Sequence, residues 1–136
     1  MLELMRKNDF AKMYSIMKDS FPDDEYRPYD EQKKLLDNEV YKIYIMKTNL
    51  DEISAFIALW EFSDFLFIEH FAVEKSHRNK GLGSLIIKEI CGLSSKMMCL
   101  EVEPPENEIS KRRIEFYRRN GLHLNTYPYK IGRAHV

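Results

Sequence analysis

The sequence lacks the features that would place it in a membrane or on nucleic acid. Its longest apolar stretches, Ile53–Trp60 and Phe65–Ile68, are far shorter than the roughly 20 residues that a membrane-spanning helix needs. The formal net charge is -1, so no overall positive charge attracts nucleic acid or an anionic membrane. The charged residues near Met1 are not followed by an apolar run, so we expect no secretory signal there.

Cysteine is also scarce, which bears on metal binding and on the cellular compartment. Cys91 and Cys99 are the two cysteines of the chain, and their spacing matches neither a CxxC motif nor a zinc-binding pair. We therefore expect reduced thiols, no bound metal and a cytoplasmic location.

Apolar residues are plentiful enough for one core. Of the 136 residues, 44% are hydrophobic, which suits one domain but not two, and we assign residues 1–130 to it. Residues 131–136 show no periodicity and look like translated sequencing-adapter sequence. We expect them to be a non-native tail and leave them out of the predicted fold.

The apolar pattern predicts an α+β fold in which helices flank a central mixed sheet. A helix through Phe10–Met17, with Asn8 as its candidate cap, and a short helix over Asp30–Asp37 are expected. Two further helices are expected over Gly81–Leu93 and Glu106–Asn120. Strands are expected at Leu2–Met5, Val40–Lys47, Ile53–Trp60, Phe65–Val73, Met97–Glu103 and Leu122–Tyr127.

The segment between Phe71 and Ser84 carries the strongest chemical signal. A strand ends there, a basic loop follows, and Gly81 and Gly83 begin a helix. Glycine lets a ligand approach the backbone closely, and the free amides and dipole at a helix N-terminus attract anions. The residues alone therefore predict a phosphate or pyrophosphate site over Arg78–Ser84.

Other phosphate-binding motifs fit this loop less well. A Walker A loop is absent, and a GxGxxG dinucleotide motif is matched only at Gly81 and Gly83. The alternative without a ligand is a loop whose glycines allow tight packing and whose cations are solvated.

Two segments resemble motifs of the GCN5-related N-acetyltransferase (GNAT) superfamily. Arg78–Gly83 resembles its acetyl-CoA signature, Arg/Gln-x-x-Gly-x-Gly/Ala. Glu115–Leu122 is similar to its aromatic-Tyr-x-x-x-Gly-aromatic block, with Leu122 where phenylalanine is usual. The order of elements from Leu2 to Tyr127 also resembles that family. The resemblance implies an acyl-CoA N-acyltransferase fold, with a C-terminal strand missing from this sequence.

The resemblance also implies acetyl-CoA as co-substrate and a role for each matching position. Backbone amides of the signature loop would hold the pyrophosphate; these residues are Arg78, Asn79, Lys80, Gly81, Leu82, Gly83 and Ser84. The backbone of Phe71, Ala72 and Val73 would pair with the pantetheine arm and polarise the thioester oxygen. Ser110 falls where many members carry an asparagine that faces the same arm.

Glu69 and Tyr117 are the candidate catalytic residues. An amine with a pKa near 10 is mostly protonated at neutral pH and must lose a proton before it attacks. Strict alternation along the strand puts Glu69 on the face of Phe71 and Val73, with His70 on the opposite face, which makes Glu69 the candidate base. The resemblance to the GNAT superfamily implies that Tyr117, at the position of the family's tyrosine, protonates the leaving thiolate. The alternatives are a salt-bridged Glu69 and a Tyr117 that only fills the core.

These expectations combine into an N-acetyltransferase that moves the acetyl group to a primary amine by direct attack in a ternary complex. The acceptor is a small-molecule or peptide amine, and no nucleic acid or membrane partner is expected. A homodimer stays open as an alternative, since a missing strand would leave a sheet edge unpaired. There are two rival functions. One is a CoA-binding sensor of the same fold without turnover, and the other is a phosphate-binding protein of another class.

Overall fold

The structure is a computed structural model, and it describes residues 2–102 and 106–122 together with the backbone of residues 134–135. Within this part of the chain the strands form one mixed sheet in the order β1-β2-β3-β4-β5-β6. The strands are β1 Leu2–Leu4, β2 Tyr41–Lys47, β3 Ile53–Glu61, β4 Phe65–Val73, β5 Met97–Val102 and β6 Ala134–His135. The pair β4–β5 is parallel and the other neighbours are antiparallel, which confirms the predicted α+β class.

The helices lie close to their predicted positions. They are α1 Phe10–Ser20, α2 Tyr29–Lys34, α3 Leu82–Leu93 and α4 Glu108–Arg119. The prediction that Asn8 caps α1 is wrong, because Asn8 lies within a 3-10 turn, Lys7–Asp9, that leads into the helix. Among the described residues, no helix is both long enough and apolar enough to cross a membrane.

The sheet has a hydrophobic core on each face, and β3 contributes to both. Ile57 packs with Ile86 of α3 and Ile114 of α4, whereas Phe56 packs with Met13 of α1 on the other face. All residues of β3 from Ile53 to Leu59 are buried, and apart from Ser54, whose hydroxyl donates to the Met46 carbonyl, they are apolar rather than alternating. Burial on both faces fixes β3 as the centre of the domain.

A β-bulge at Glu69 interrupts the pairing of β4 with β3. His70 is opposite Ala58, and Ile68 is opposite Leu59, so Glu69 is one extra residue with no partner on β3. Such an insertion places two successive side chains on the same face and bends the strand.

The bulge reverses which face each later side chain of β4 occupies. Phe71 and Val73 pack on the α3/α4 core, and Ala72 packs on the α1 core. Glu69 and His70 both lie on the α1 side of the sheet, where their partners come from the segment between α1 and α2. The prediction that Glu69 shares a face with Phe71 and Val73, opposite to His70, is therefore wrong.

Strands β4 and β5 separate beyond the bulge. Their parallel pairing runs from the pair Phe65–Met97 to the pair Ile68–Leu100 and stops there. The last residues of β5, Glu101 and Val102, instead pair with β6. A cleft therefore opens between the C-terminal halves of β4 and β5.

Two predictions about the C-terminal part are not tested. The strand predicted over Leu122–Tyr127 lies outside the described residues, apart from Leu122 itself. The backbone of residues 134–135 contributes β6 to the sheet, and the non-native origin of residues 131–136 stays a prediction.

The backbone at the start of α3 gives a stability prediction with a matched control. Gly81 caps the helix with φ +77, and an added Cβ would meet nothing within 4 Å. Gly92, inside the same helix, has equally open space around it. Gly81→Ala should therefore lower the free energy of unfolding by about 1–2 kcal/mol through backbone strain, and Gly92→Ala should raise it by about 0.5–1 kcal/mol through helix propensity. Urea denaturation measures both, and stabilisation by both substitutions would contradict the left-handed cap.

Candidate functional site

Two adjoining cavities occupy the region where β4 and β5 separate. The cleft cavity, about 790 Å³, lies between β4, β5 and the segment that follows α1. The loop cavity, about 730 Å³, lies between the start of α3 and helix α4. Both are lined by Phe71, Ala72, Val73, Arg78, Arg113 and Tyr117. The two cavities therefore adjoin along this shared set of residues.

Open backbone amides line the loop cavity at the start of α3. Asn79 and Gly81 adopt positive φ angles of 65° and 77°, and no side chain caps the helix. The amides of the first turn, from Leu82 to Ser84, precede the first intrahelical bond, which runs from Leu85 to the Gly81 carbonyl. These amides and the helix dipole favour an anion.

Gly83 also allows tight packing, the role that the alternative without a ligand gave to the loop glycines. A Cβ at this position would lie 3.0 Å from Cζ of Phe116. The Phe116 ring in turn packs against Phe71 and Tyr117, with centroids 6.2 and 5.2 Å apart. Gly83 therefore brings α3 close to α4 and also exposes backbone to the loop cavity.

The ionisable side chains that line the loop cavity are basic. They are His77, Arg78, Arg112, Arg113 and Arg119, and no acidic residue is among the described residues that line it. Arg78 donates a hydrogen bond from Nε to the Val73 carbonyl, 2.9 Å away. The cavity therefore suits a ligand with more than one negative charge.

Most of the cofactor-binding residues predicted from the sequence come together here. Phe71, Ala72, Val73, Arg78, Asn79, Gly81, Leu82, Gly83 and Ser84 line the loop cavity. Lys80 and Ser110 line neither cavity. Ser110 is buried in the first turn of α4, where its amide donates to Oδ1 of Asn107 at 2.8 Å.

On the cleft side, Glu69 is held by Arg27 in a two-pronged ion pair. The two nitrogen–oxygen distances are 2.9 and 2.8 Å, and the side chains are 23% and 33% exposed. Burial alone would raise the pKa of Glu69, but the hydrogen bonds and charge of Arg27, with a smaller effect of His70, leave this pKa below its ordinary value. The carboxylate is therefore ionised at neutral pH.

A buried polar network fixes Arg27 in this position. Its carbonyl accepts a hydrogen bond from the Tyr14 hydroxyl at 2.7 Å, and its Nη1 donates to the Gln32 side chain at 3.3 Å. Gln32 is fully buried and donates to the Tyr41 hydroxyl. The segment between α1 and α2 is thereby attached to the bulge of β4.

Tyr117 and His70 differ in whether their polar atoms already have hydrogen-bond partners in the protein. The Tyr117 ring lies between the two cavities, and within the described residues its hydroxyl has no hydrogen-bond partner. Burial raises the pKa of Tyr117 to about 12, with a smaller opposing effect of Arg113. His70 is buried and its Nε2 is 2.6 Å from the Glu25 carbonyl, so it links the segment between α1 and α2 to the sheet.

The sequence analysis missed the arginines of α4. Arg112, Arg113 and Arg119 share the helix face of Phe116 and Tyr117 and line the loop cavity. The signal was present in the sequence, because positions three, four and seven residues apart lie on one side of a helix.

The comparisons with known proteins agree with this geometry. A family model described as "Acetyltransferase (GNAT) family" matches residues 10–122. YjbC of Bacillus subtilis (strain 168), provisionally named an acetyltransferase, is 30% identical over 120 residues, which cover 86% of this chain. The chain spans 60% of the length of that curated relative.

Solved structures show the same fold. A GNAT-family protein from Bacteroides thetaiotaomicron, provisionally named an acetyltransferase, superposes with a TM-score of 0.88 and 29% identity over 99% of this chain and 84% of its own. A variant of SpeG, the spermidine N-acetyltransferase of Vibrio cholerae, superposes with a TM-score of 0.76 and 12% identity over 100% of this chain and 92% of its own. The second likeness concerns the fold alone.

The Arg27–Glu69 pair predicts a pH-dependent stability. Glu69→Gln should lower the free energy of unfolding at pH 7 by about 1–3 kcal/mol, because Arg27 loses its charged partner. The pKa of Glu69 is lower in the folded than in the unfolded protein, so its stabilisation is present above the unfolded value of about 4.3 and is lost as the pH falls through the folded value. The difference between wild type and variant should be constant from about pH 7 to 5 and shrink below about pH 4.

Denaturant titrations across this pH range measure the difference. Glu115→Gln is the control, because Glu115 is exposed in its 3.5 Å pair with Arg118 and should change stability by less than about 0.5 kcal/mol. A Glu69→Gln difference that persists unchanged to pH 3 would rule out the lowered pKa.

Proposed function

The chain belongs to the acetyltransferase (GNAT) family, and from this premise we propose that it transfers the acetyl group of acetyl-CoA to a primary amine. The observation that carries the proposal is that the two cavities adjoin along Phe71–Val73 of β4, since a diphosphate at the start of α3 would leave the rest of the ligand beside β4. In this proposal the loop cavity binds the phosphates, and acetyl transfer takes place in the cleft cavity.

The residues present fit the chemistry of coenzyme A. The open amides between Leu82 and Ser84 suit the diphosphate. Beyond Ile68, the edge of β4 that faces the cleft has no partner on β5, so its backbone can pair with the amides of the pantetheine arm. The Val73 carbonyl accepts a hydrogen bond from Arg78. If the guanidinium turns toward the phosphates, this carbonyl can accept a hydrogen bond from the ligand instead.

When bound, acetyl-CoA supplies an activated acyl group: the amine nitrogen bonds to the carbonyl carbon, the carbon–sulfur bond breaks, and sulfur leaves with the electron pair. Tyr117 has the position to stabilise this departure. A pKa of about 12 keeps its phenol protonated at neutral pH. That pKa exceeds the roughly 8.5 of a thiol, so Tyr117 acts by donating a hydrogen bond and full proton transfer is unfavourable.

The acceptor end of the site favours a cationic amine. The cleft cavity is lined by four carboxylates and three arginines, so its carboxylates exceed its guanidinium groups by one; they are Asp24, Glu25, Glu69 and Glu101, and Arg27, Arg78 and Arg113. Arg27 takes one acceptor position on each oxygen of Glu69, and Trp60 takes a further one, so about one of the four acceptor positions of the carboxylate remains. Glu69 can therefore hold the ammonium form of the acceptor by a hydrogen bond, a task compatible with its low pKa, and the acceptor's proton leaves to water before the attack.

Substitution of Tyr117 tests its role in the reaction. Tyr117→Phe should reduce kcat by roughly 10- to 100-fold, because the hydrogen bond to the leaving sulfur is lost, and should leave the Kd for CoA within about threefold. Tyr44→Phe is the control, since Tyr44 is half-buried and lines neither cavity. Steady-state kinetics and calorimetry separate the two effects. Equal kcat values for Tyr117→Phe and wild type would exclude this role.

The whole proposal is tested by binding and turnover together. Acetyl-CoA at 100 times its Kd should stabilise the protein by about 2.7 kcal/mol. Release of the CoA thiol should follow on addition of an amine chosen from polyamines, amino acids, aminoglycosides and peptides. Intersecting initial-rate plots are expected for direct transfer in a ternary complex, and parallel plots would contradict it. CoA binding without turnover of any amine would favour the sensor alternative, and tighter binding of ATP would favour another class of protein.

A further inference from the structure

The basic side chains of α4 fall into two groups with different surroundings. Lys111 and Arg118 lie on the outer side, within 3.9 Å of Glu108 and 3.5 Å of Glu115 respectively. All four side chains are more than half exposed. The outer group is therefore neutralised within the helix and faces solvent.

The inner group consists of Arg112, Arg113 and Arg119, which line the loop cavity. No ion pair or hydrogen bond is found for these three guanidinium groups within residues 2–102 and 106–122. Arg112 and Arg119 are seven residues apart, which places them on the same side of α4 with a rise of about 10 Å between them. Arg113 also lines the cleft cavity, so Arg112 and Arg119 are the members confined to the loop cavity.

The positive charge of this cavity exceeds what one diphosphate needs. The start of α3 already offers amides and a helix dipole to a diphosphate, and Arg78 lies next to it. Arg112 and Arg119 add two further charges on the opposite wall, with no carboxylate among the described residues that line the cavity. Like charges that share a cavity repel each other, and a second anion would relieve that repulsion.

We propose that Arg112 and Arg119 form a second phosphate subsite, which holds the 3′-phosphate of coenzyme A apart from the diphosphate at α3. The inference rests on the proposed function, because it names the part of the same ligand that each wall of the loop cavity contacts. A phosphate monoester carries close to two negative charges at neutral pH. Guanidinium groups bind such a phosphate through paired N–H donors.

Dephospho-CoA, which lacks only the 3′-phosphate, provides the direct test. Calorimetry at low ionic strength should show that the wild-type protein binds CoA at least about tenfold more tightly than dephospho-CoA. The double variant Arg112→Gln/Arg119→Gln should lose this preference, with weaker binding of CoA and unchanged binding of dephospho-CoA. The wild-type preference should also decrease as salt is added, because exposed charge interactions are screened.

The outer group of α4 provides a control with the same loss of charge. Lys111→Gln/Arg118→Gln removes two positive charges from the same helix but none from the loop cavity. This variant should keep the wild-type preference for CoA. Loss of the preference in both double variants would assign it to net charge and overturn the subsite.

The remaining outcomes separate this inference from the proposed function. Equal affinity of wild type for CoA and dephospho-CoA, with turnover intact, would overturn the subsite and leave acetyl transfer standing. If the Arg112→Gln/Arg119→Gln variant binds CoA and dephospho-CoA more weakly by the same factor, these arginines contact the diphosphate or stabilise the fold. That result would also overturn the subsite. Failure of a wild-type protein that unfolds cooperatively to bind either ligand would overturn both proposals.

Discussion

The extra residue in β4 is the constraint on which the site depends. Glu69 has no partner on β3, and the pairing of β4 with β5 ends at Ile68. If β4 were regular, it could continue to pair with β5 and close the cleft that both cavities share. The same bulge turns Glu69 toward Arg27, so one backbone irregularity opens the edge of β4 and fixes the acceptor-side carboxylate.

This irregularity explains what the sequence could and could not predict. Helix and strand positions follow from apolar periodicity, and the open amides at Gly81 follow from glycine at a helix start, because both are local properties. The face of Glu69 depends on the register between β3 and β4, which shifts by one residue between Ala58 and Leu59. The order of apolar and polar residues along β4 does not determine that register, and the prediction of strict alternation was therefore wrong.

The two cavities divide the charges of a nearly neutral chain. Four carboxylates and three arginines line the cleft cavity, whereas the described residues that line the loop cavity include arginines but no carboxylate. Such a division favours a ligand that is anionic at one end and meets a cation at the other. It also explains why a net charge of -1 was a poor guide to the site, since local fields in a cleft depend on the few charges that line it.

The low pKa of Glu69 constrains how an amine could lose its proton here. A carboxylate held by Arg27 is a weak base, so its protonation cannot drive removal of a proton from an ammonium with a pKa near 10. The attacking species is then the fraction of acceptor that has already lost its proton to water, and kcat/KM should rise with pH toward the pKa of the amine. The Arg27–Glu69 pair attaches the α1–α2 segment to the sheet, and in the proposed function it would also orient the acceptor; both roles require a carboxylate that stays ionised.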